Sequence, residues 1–201
     1  RGHHESGARS GGTAALAGHG GAIGAAVGYP AMRTYGVAIT IPEPHGAALQ
    51  ERRAAFGDPM AGAIPPHVTL LPPTVVSPQG REIFEDHLAQ VAAAHAPFRM
   101  VLAGTGTFRP ISPVVFVQVS QGISSCERLE YAVRSGPVER PLDFPYHPHV
   151  TVAHHLDDDA LDAAFADLAD FRADFEVTSF ELFRHDVDDV WRPLRSFPLG
   201  G

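Results

Sequence analysis

Two triplets in this chain have the residue types and the setting for chemistry. They are His67-Val68-Thr69, within PPHVTLLPPT, and His149-Val150-Thr151, within PYHPHVTVAHH, 82 positions apart (149 − 67). Each follows a proline and opens an apolar run, as a short strand does. Strand alternation places His67 and Thr69 on one face and Val68 and Leu70 on the other. His149 and Thr151 stand in the same way against Val150 and Val152. Each triplet therefore offers an imidazole beside a hydroxyl, anchored by an apolar back. Two such pairs around one point suit phosphodiester chemistry without a metal. A neutral histidine takes a proton from the attacking hydroxyl or water, and a protonated one delivers a proton to the leaving oxygen. The threonine hydroxyls, with any arginine in the cleft, bind the nonbridging oxygens as charge builds. A single such triplet carries little weight, because a histidine beside an apolar strand is usually a hydrogen-bonded packing residue. Two in matching positions carry more.

The elements that must position them repeat. TYGVAITIP (34–42) reads as a strand. The stretch 43–57 reads as a helix with Ala47, Leu49 and Phe56 toward the core and Gln50, Glu51, Arg52 and Arg53 outward. HVTLL (67–71) is a strand. Ser77-Pro78 opens a helix over 77–96 with the stripe Ile83, Leu88, Val91, and 98–110 is a glycine-interrupted strand. The second half runs strand 113–120, helix 123–135 with a Ser-x-x-Glu capping pattern, strand 149–154, helix 157–171 with three aspartates at its positive end, strand 175–187 and a last strand over 191–199. Ala38 precedes His67 by 29 positions (67 − 38) and Phe116 precedes His149 by 33 (149 − 116). This match in order and spacing predicts an internal duplication. It predicts one bilobal domain over 33–199, with lobe halves at about 33–110 and 111–199, facing each other across a cleft.

Composition bounds the chemistry. At 44% apolar and 19% charged residues the chain is an ordinary globular sequence. No apolar run is long enough to span a membrane, and we expect a cytoplasmic protein, with a monomer favoured. The formal charge of −8 lacks the basic stripe of a protein that binds long nucleic acid, but permits a small anionic ligand. All 15 basic residues are arginine. Without lysine there is no P-loop lysine, no Schiff base and no lysyl-nucleotide intermediate. The single cysteine, Cys126, sits on a helix and reads as a small buried hydrophobe. Residues 1–31 are mostly glycine and alanine without periodicity, and lack the compact apolar segment of a signal peptide. They read as a disordered tail or as sequence ahead of a true start at Met32, so His3, His4 and His19 carry no expected role.

The triplet pair in this duplicated frame resembles the 2H phosphoesterase superfamily, and within it the bacterial 2′–5′ RNA ligase-like, cyclic phosphodiesterase branch. The resemblance covers about residues 33–199. It implies an α+β fold of two pseudo-symmetric lobes, each a mostly antiparallel sheet backed by helices, around a central cleft. It implies His67 and His149 as the acid–base pair and Thr69 and Thr151 as phosphate-binding hydroxyls. It further implies opening of 2′,3′-cyclic phosphates on nucleotides or RNA 3′ ends, reversible 2′–5′ joining of RNA in some members, and no metal or ATP.

Other residues are candidates for substrate contact. Phe108 and Arg109 end the first lobe's last strand, Tyr146 precedes the second triplet, Arg192 stands beside Trp191, and Arg184 lies in FELFRHD. Two rival readings stay open. One is a metal-dependent hydrolase using the 147–155 cluster of His147, His149, His154 and His155. The other is a duplicated nucleotide- or RNA-binding module without turnover. His45, His87, His95 and His185 are expected on solvated faces.

Overall fold

The computed structural model describes residues 31–200. The tail reading for the first thirty residues, and the three histidines in them, lie outside the described residues. Eight strands and four helices follow in the order β1 (Arg33–Thr40), α1 (His45–Ala55), β2 (His67–Val76), α2 (Pro78–Ala93), β3 (Phe98–Thr107), β4 (Val114–Gln121), α3 (Ile123–Arg134), β5 (His149–His154), α4 (Asp158–Asp167), β6 (Arg172–Val177), β7 (Ser179–His185) and β8 (Trp191–Pro198). They form two four-stranded sheets, ordered β2-β1-β7-β8 and β5-β4-β3-β6, and every neighbouring pair is antiparallel. The expected α+β class and the two helix-backed antiparallel sheets are present.

The lobes are not the two halves of the chain. β3, from the first half, pairs with β4 and β6 in the second sheet, and β7 and β8 return to the first sheet beside β1. The division at 110/111 is corrected accordingly, and so is the single strand over 175–187. That stretch is two strands, β6 and β7, separated at Thr178 and lying in different sheets. Strand propensity is continuous across the break, so a change of sheet leaves no mark in it. The helices interlock the lobes further, with α3 packed on β2 and α1 on β5.

The duplication is visible in the pairing register. Across β1–β2, Thr40 faces His67, Ala38 faces Thr69 and Val37 faces Leu71, so Leu70 is skipped. Across β4–β5, Gln118 faces His149, Phe116 faces Thr151 and Val115 faces Ala153, so Val152 is skipped. Each triplet is thus followed by the same irregularity at the same offset. A residue inserted in this way bends the strand and re-aims its side chains. It lets Leu70 with Leu71, and Val152 with Ala153, enter the core in succession.

Several facing assignments differ. On α1, Ala47 is exposed while Arg53 is buried, because its guanidinium finds the Asp58 carboxylate inside. On α2, Phe84 (1% exposed) rather than Ile83 (59% exposed) faces the core with Leu88 and Val91. Ser77 does cap α2, accepting from the Gly80 N–H at 3.0 Å, and Asp157 caps α4 through the Ala160 N–H. The Ser-x-x-Glu pattern on α3 does not act as a capping box. The helix begins two residues earlier, with Gly122 rather than Ser124 at its N-cap, at φ +99°, where an added Cβ would stand 2.9 Å from the Arg99 carbonyl. The four histidines expected on solvated faces are half-buried. His87 bonds the Ala132 carbonyl, His95 bonds the Val91 carbonyl and His185 stacks on Trp191.

Candidate active site

Prolines fix how each triplet begins. A residue before proline is held extended, and this constrains Pro65 ahead of Pro66 and His147 ahead of Pro148. The carbonyls of Pro65 and His147 then meet the imidazoles two residues on. His67 Nδ1 lies 2.8 Å from the Pro65 oxygen, and His149 Nδ1 lies 2.6 Å from the His147 oxygen. A carbonyl only accepts, so in both rings Nδ1 carries the proton and donates. Nε2 is then the free nitrogen in each neutral ring. Both imidazoles are oriented by the same device, as the duplication requires.

The two sites are close but not equivalent. Burial pushes the His67 pKa down to about 4, opposed by its bond to Pro65 and assisted by the positive charges of Arg53 and His149. Burial also lowers His149, opposed by its bond to His147, with the His147 charge a further cause. The His149 ring is boxed by aromatic edges. Phe108 meets it edge-on with centroids 4.9 Å apart, and Phe116 lies at 5.1 Å. Thr69 and Thr151 share the open faces of β2 and β5. Neither hydroxyl is engaged by a protein partner among the described residues.

Thr69 stands between two cavities. One, of about 180 Å³, is lined by His67, Gly36, Phe183 and Trp191. Gly36 makes room for the indole, since a Cβ there would lie 3.3 Å from the Trp191 ring. The other, of about 580 Å³, is lined by His149, Phe108, Tyr146, Phe144 and Arg140. The two cavities on either side of Thr69 therefore differ about threefold in size.

The remaining candidates divide. Phe108 is in the cleft. The Tyr146 ring lines it too, while its hydroxyl donates to the Thr69 carbonyl at 2.8 Å, and burial pushes that hydroxyl's pKa well above its ordinary value. Arg109 turns away, to Asp158 and Asp162 on α4, and lines a separate surface hollow with them. Arg192 pairs with Asp186 and Asp188, and Arg184 pairs with Asp186. Arg109 and Arg192, expected to contact substrate, line neither of the two cavities, and both pair with aspartates. Trp191 and Arg140 line the cleft but were not singled out from sequence. Trp191 reaches over Gly36 from β8, two strands away, a placement set by the sheet order. Arg140 lies in an irregular stretch whose placement no periodicity reports.

Cys126 is buried and its thiol is pushed up to about 12 by that burial, which keeps it protonated. The four histidines of the second motif do not gather. His147 and His149 stand at one end of β5, and His154 stacks on His155 at the other, 3.7 Å between centroids. Among the described residues no three histidine, cysteine or acidic side chains converge as a metal-holding group.

Comparison with known proteins agrees with this fold. The profile of the 2′–5′ RNA ligase superfamily matches residues 41–189. A curated protein of Oceanobacillus iheyensis that carries a phosphoesterase name is 26% identical over 172 residues, covering 83% of this chain and 98% of its own. E. coli LigT, solved with 3′-AMP, superposes with a TM-score of 0.62 at 18% identity, over 85% of this chain and 100% of that one. LigT has also been solved with NADP+, at 22% identity and the same coverage and TM-score. TT0787 of Thermus thermophilus gives a TM-score of 0.60 at 22% identity, covering 84% and 98% of the two chains.

Proposed function

This chain belongs to the 2′–5′ RNA ligase superfamily, a family of 2H phosphoesterases, and we propose that within it the protein is a metal-independent cyclic phosphodiesterase. Its proposed substrates are 2′,3′-cyclic phosphates of nucleotides or of short RNA 3′ ends. The observation that carries this reading is the matched presentation of the two imidazoles. Each has Nδ1 engaged by the carbonyl two residues upstream and Nε2 free. Two such nitrogens beside two unengaged threonine hydroxyls supply a base, an acid and oxygen ligands.

The two unequal environments divide the roles. With one proton shared between the rings, it resides on the one less strongly held neutral. His67, lowered to about 4, is then the base, and His149 is the acid. His67 Nε2 takes a proton from water as the water oxygen bonds to phosphorus. The P–O3′ bond breaks and His149 Nε2–H protonates O3′, leaving a 2′-phosphate. Thr69 and Thr151 donate to nonbridging oxygens. The larger cavity, with Phe108 beside His149, has room for the nucleoside that carries the leaving oxygen, and the smaller one beside His67 suits the attacking water. That LigT has been solved with 3′-AMP, ATP and NADP+ favours a nucleotide in this cleft as well. The −8 charge favours a short substrate over a long one. Attack by a ribose 5′-hydroxyl in place of water, with the P–O3′ bond breaking and O3′ protonated as before, would join RNA ends 2′–5′ with the same groups in the same roles.

Chromatography of the products from 2′,3′-cyclic AMP, with excess chelator present, tests this. The expected product is 2′-AMP alone. A mixture with 3′-AMP, or turnover abolished by the chelator, contradicts it.

A further inference from the structure

Arg53 is 6% exposed, and its partner Asp58 is 4% exposed. Asp58 is saturated by protein. Its Oδ2 accepts from Arg53 Nε at 2.8 Å and from the His154 backbone N–H at 2.9 Å, and its Oδ1 accepts from the Met60 N–H at 2.8 Å. Only Nε of the arginine is engaged in this way. Its two Nη groups have no protein partner among the described residues, yet no fully buried side-chain nitrogen there is left unsatisfied. The unpaired end of the fork therefore opens onto space.

Its charge locates that space. The positive charge of Arg53 bears on His67, at the start of β2, and on His154, at the end of β5. α1, which carries it, packs against β5. The fork thus lies near the start of β2 and the end of β5. The charged groups bearing on His67 are Arg53 from α1 and His149 from β5, while His155 just past β5, Asp58 from the turn after α1, and Arg53 bear on His154. Asp58 is consumed in holding Arg53, and Arg109, Arg184 and Arg192 are held elsewhere by aspartates. A guanidinium of this kind, anchored at one edge and open at the other, matches the paired oxygens of a phosphate.

We propose that Arg53 is the buried cation of the phosphate site, anchored through Nε by Asp58 and meeting nonbridging oxygens of a phosphodiester monoanion through its Nη groups, on the His67 side. This rests on the phosphoesterase reading above. A buried pair that only braces the two lobes would instead affect stability and leave phosphate binding untouched.

The test titrates inorganic phosphate into wild type, Arg53→Lys and Arg53→Gln. It follows the ring signals of His67 and His149 and the arginine guanidinium signals by NMR, alongside steady-state kinetics on 2′,3′-cyclic AMP. In Arg53→Gln we expect phosphate to bind ~10-fold more weakly or worse, the scale of a lost charged hydrogen bond. We expect kcat/KM to fall ~100-fold or more, as for a lost oxyanion donor, and the His67 ring pKa to rise. Arg53→Lys should recover part of the phosphate affinity. Folded Arg53→Gln with wild-type phosphate affinity and kcat/KM, whatever its Tm, overturns the proposal. Should that variant not fold, the wild type decides. Phosphate must shift the Arg53 guanidinium signal, and histidine shifts without an Arg53 shift overturn the assignment. If phosphate moves neither histidine and no cyclic nucleotide is hydrolysed, the phosphoesterase reading fails and Arg53's role fails with it.

Discussion

The Tyr146 hydroxyl donates to the Thr69 carbonyl at 2.8 Å and so ties the segment leading into the second triplet to the backbone of the first. The two triplets belong to different sheets, and this bond is a direct link between them. Tyr146→Phe removes it and keeps the ring. The half-buried Thr69 carbonyl then loses a donor, at a cost of about 1 kcal/mol. Chemical denaturation should show that loss, and kcat should fall along with it, because the spacing of His67 and His149 depends on the link.

His67 makes stability depend on pH. Its ordinary pKa is 6.5 and its folded value about 4. As pH falls below 6.5 the unfolded chain binds this proton first, and the folded protein binds it only near 4. The contribution is intact above pH 6.5, erodes between 6.5 and 4, and is lost below. At full extent it is about 3 kcal/mol, from a shift of roughly two and a half units at 1.36 kcal/mol each. Tm measured from pH 7 to 4 should therefore drop more steeply for wild type than for His67→Gln. Parallel curves for the two proteins would contradict this.

The α2 correction gives a packing test. Phe84 is fully enclosed while Ile83 is mostly exposed. Phe84→Ala should cost about 3–5 kcal/mol, and Ile83→Ala within about 0.5 kcal/mol of nothing. Urea midpoints of the two variants should separate clearly, in that order.

Arg109 and Arg192 give a negative test at the site. Both are spent in exposed ion pairs with aspartates, which contribute about 0–1 kcal/mol. Arg109→Ala and Arg192→Ala should hydrolyse 2′,3′-cyclic AMP as wild type does and lose little stability. Loss of activity in either would place a guanidinium in the cleft.

The His-Val-Thr strands, their proline lead-ins and the repeated order of elements were legible because each rests on local periodicity and turn chemistry. The exchange of β3 and β7 between sheets was not, since strand partners are chosen by tertiary packing that propensity does not record. Arg53 was misread for a related reason. Arginine on a helix usually faces water, and only the fold brings Asp58 round to bury it. Arg109 and Arg192 looked available because Asp158 and Asp162 read as part of a helix and Asp186 as part of a strand, with nothing in the sequence to mark them as partners. The carbonyls of Pro65 and His147, which set both tautomers, belong to backbone and have no sequence signature beyond the prolines that follow them.

The central claim is that two histidines, without a metal, open a cyclic phosphate. The most direct measurement is kcat/KM for 2′,3′-cyclic AMP, with excess chelator, in wild type, His67→Ala and His149→Ala. The account predicts turnover that survives the chelator and falls ~100-fold or more in each variant, the scale of losing a general acid or base. Activity that persists in either variant would contradict it.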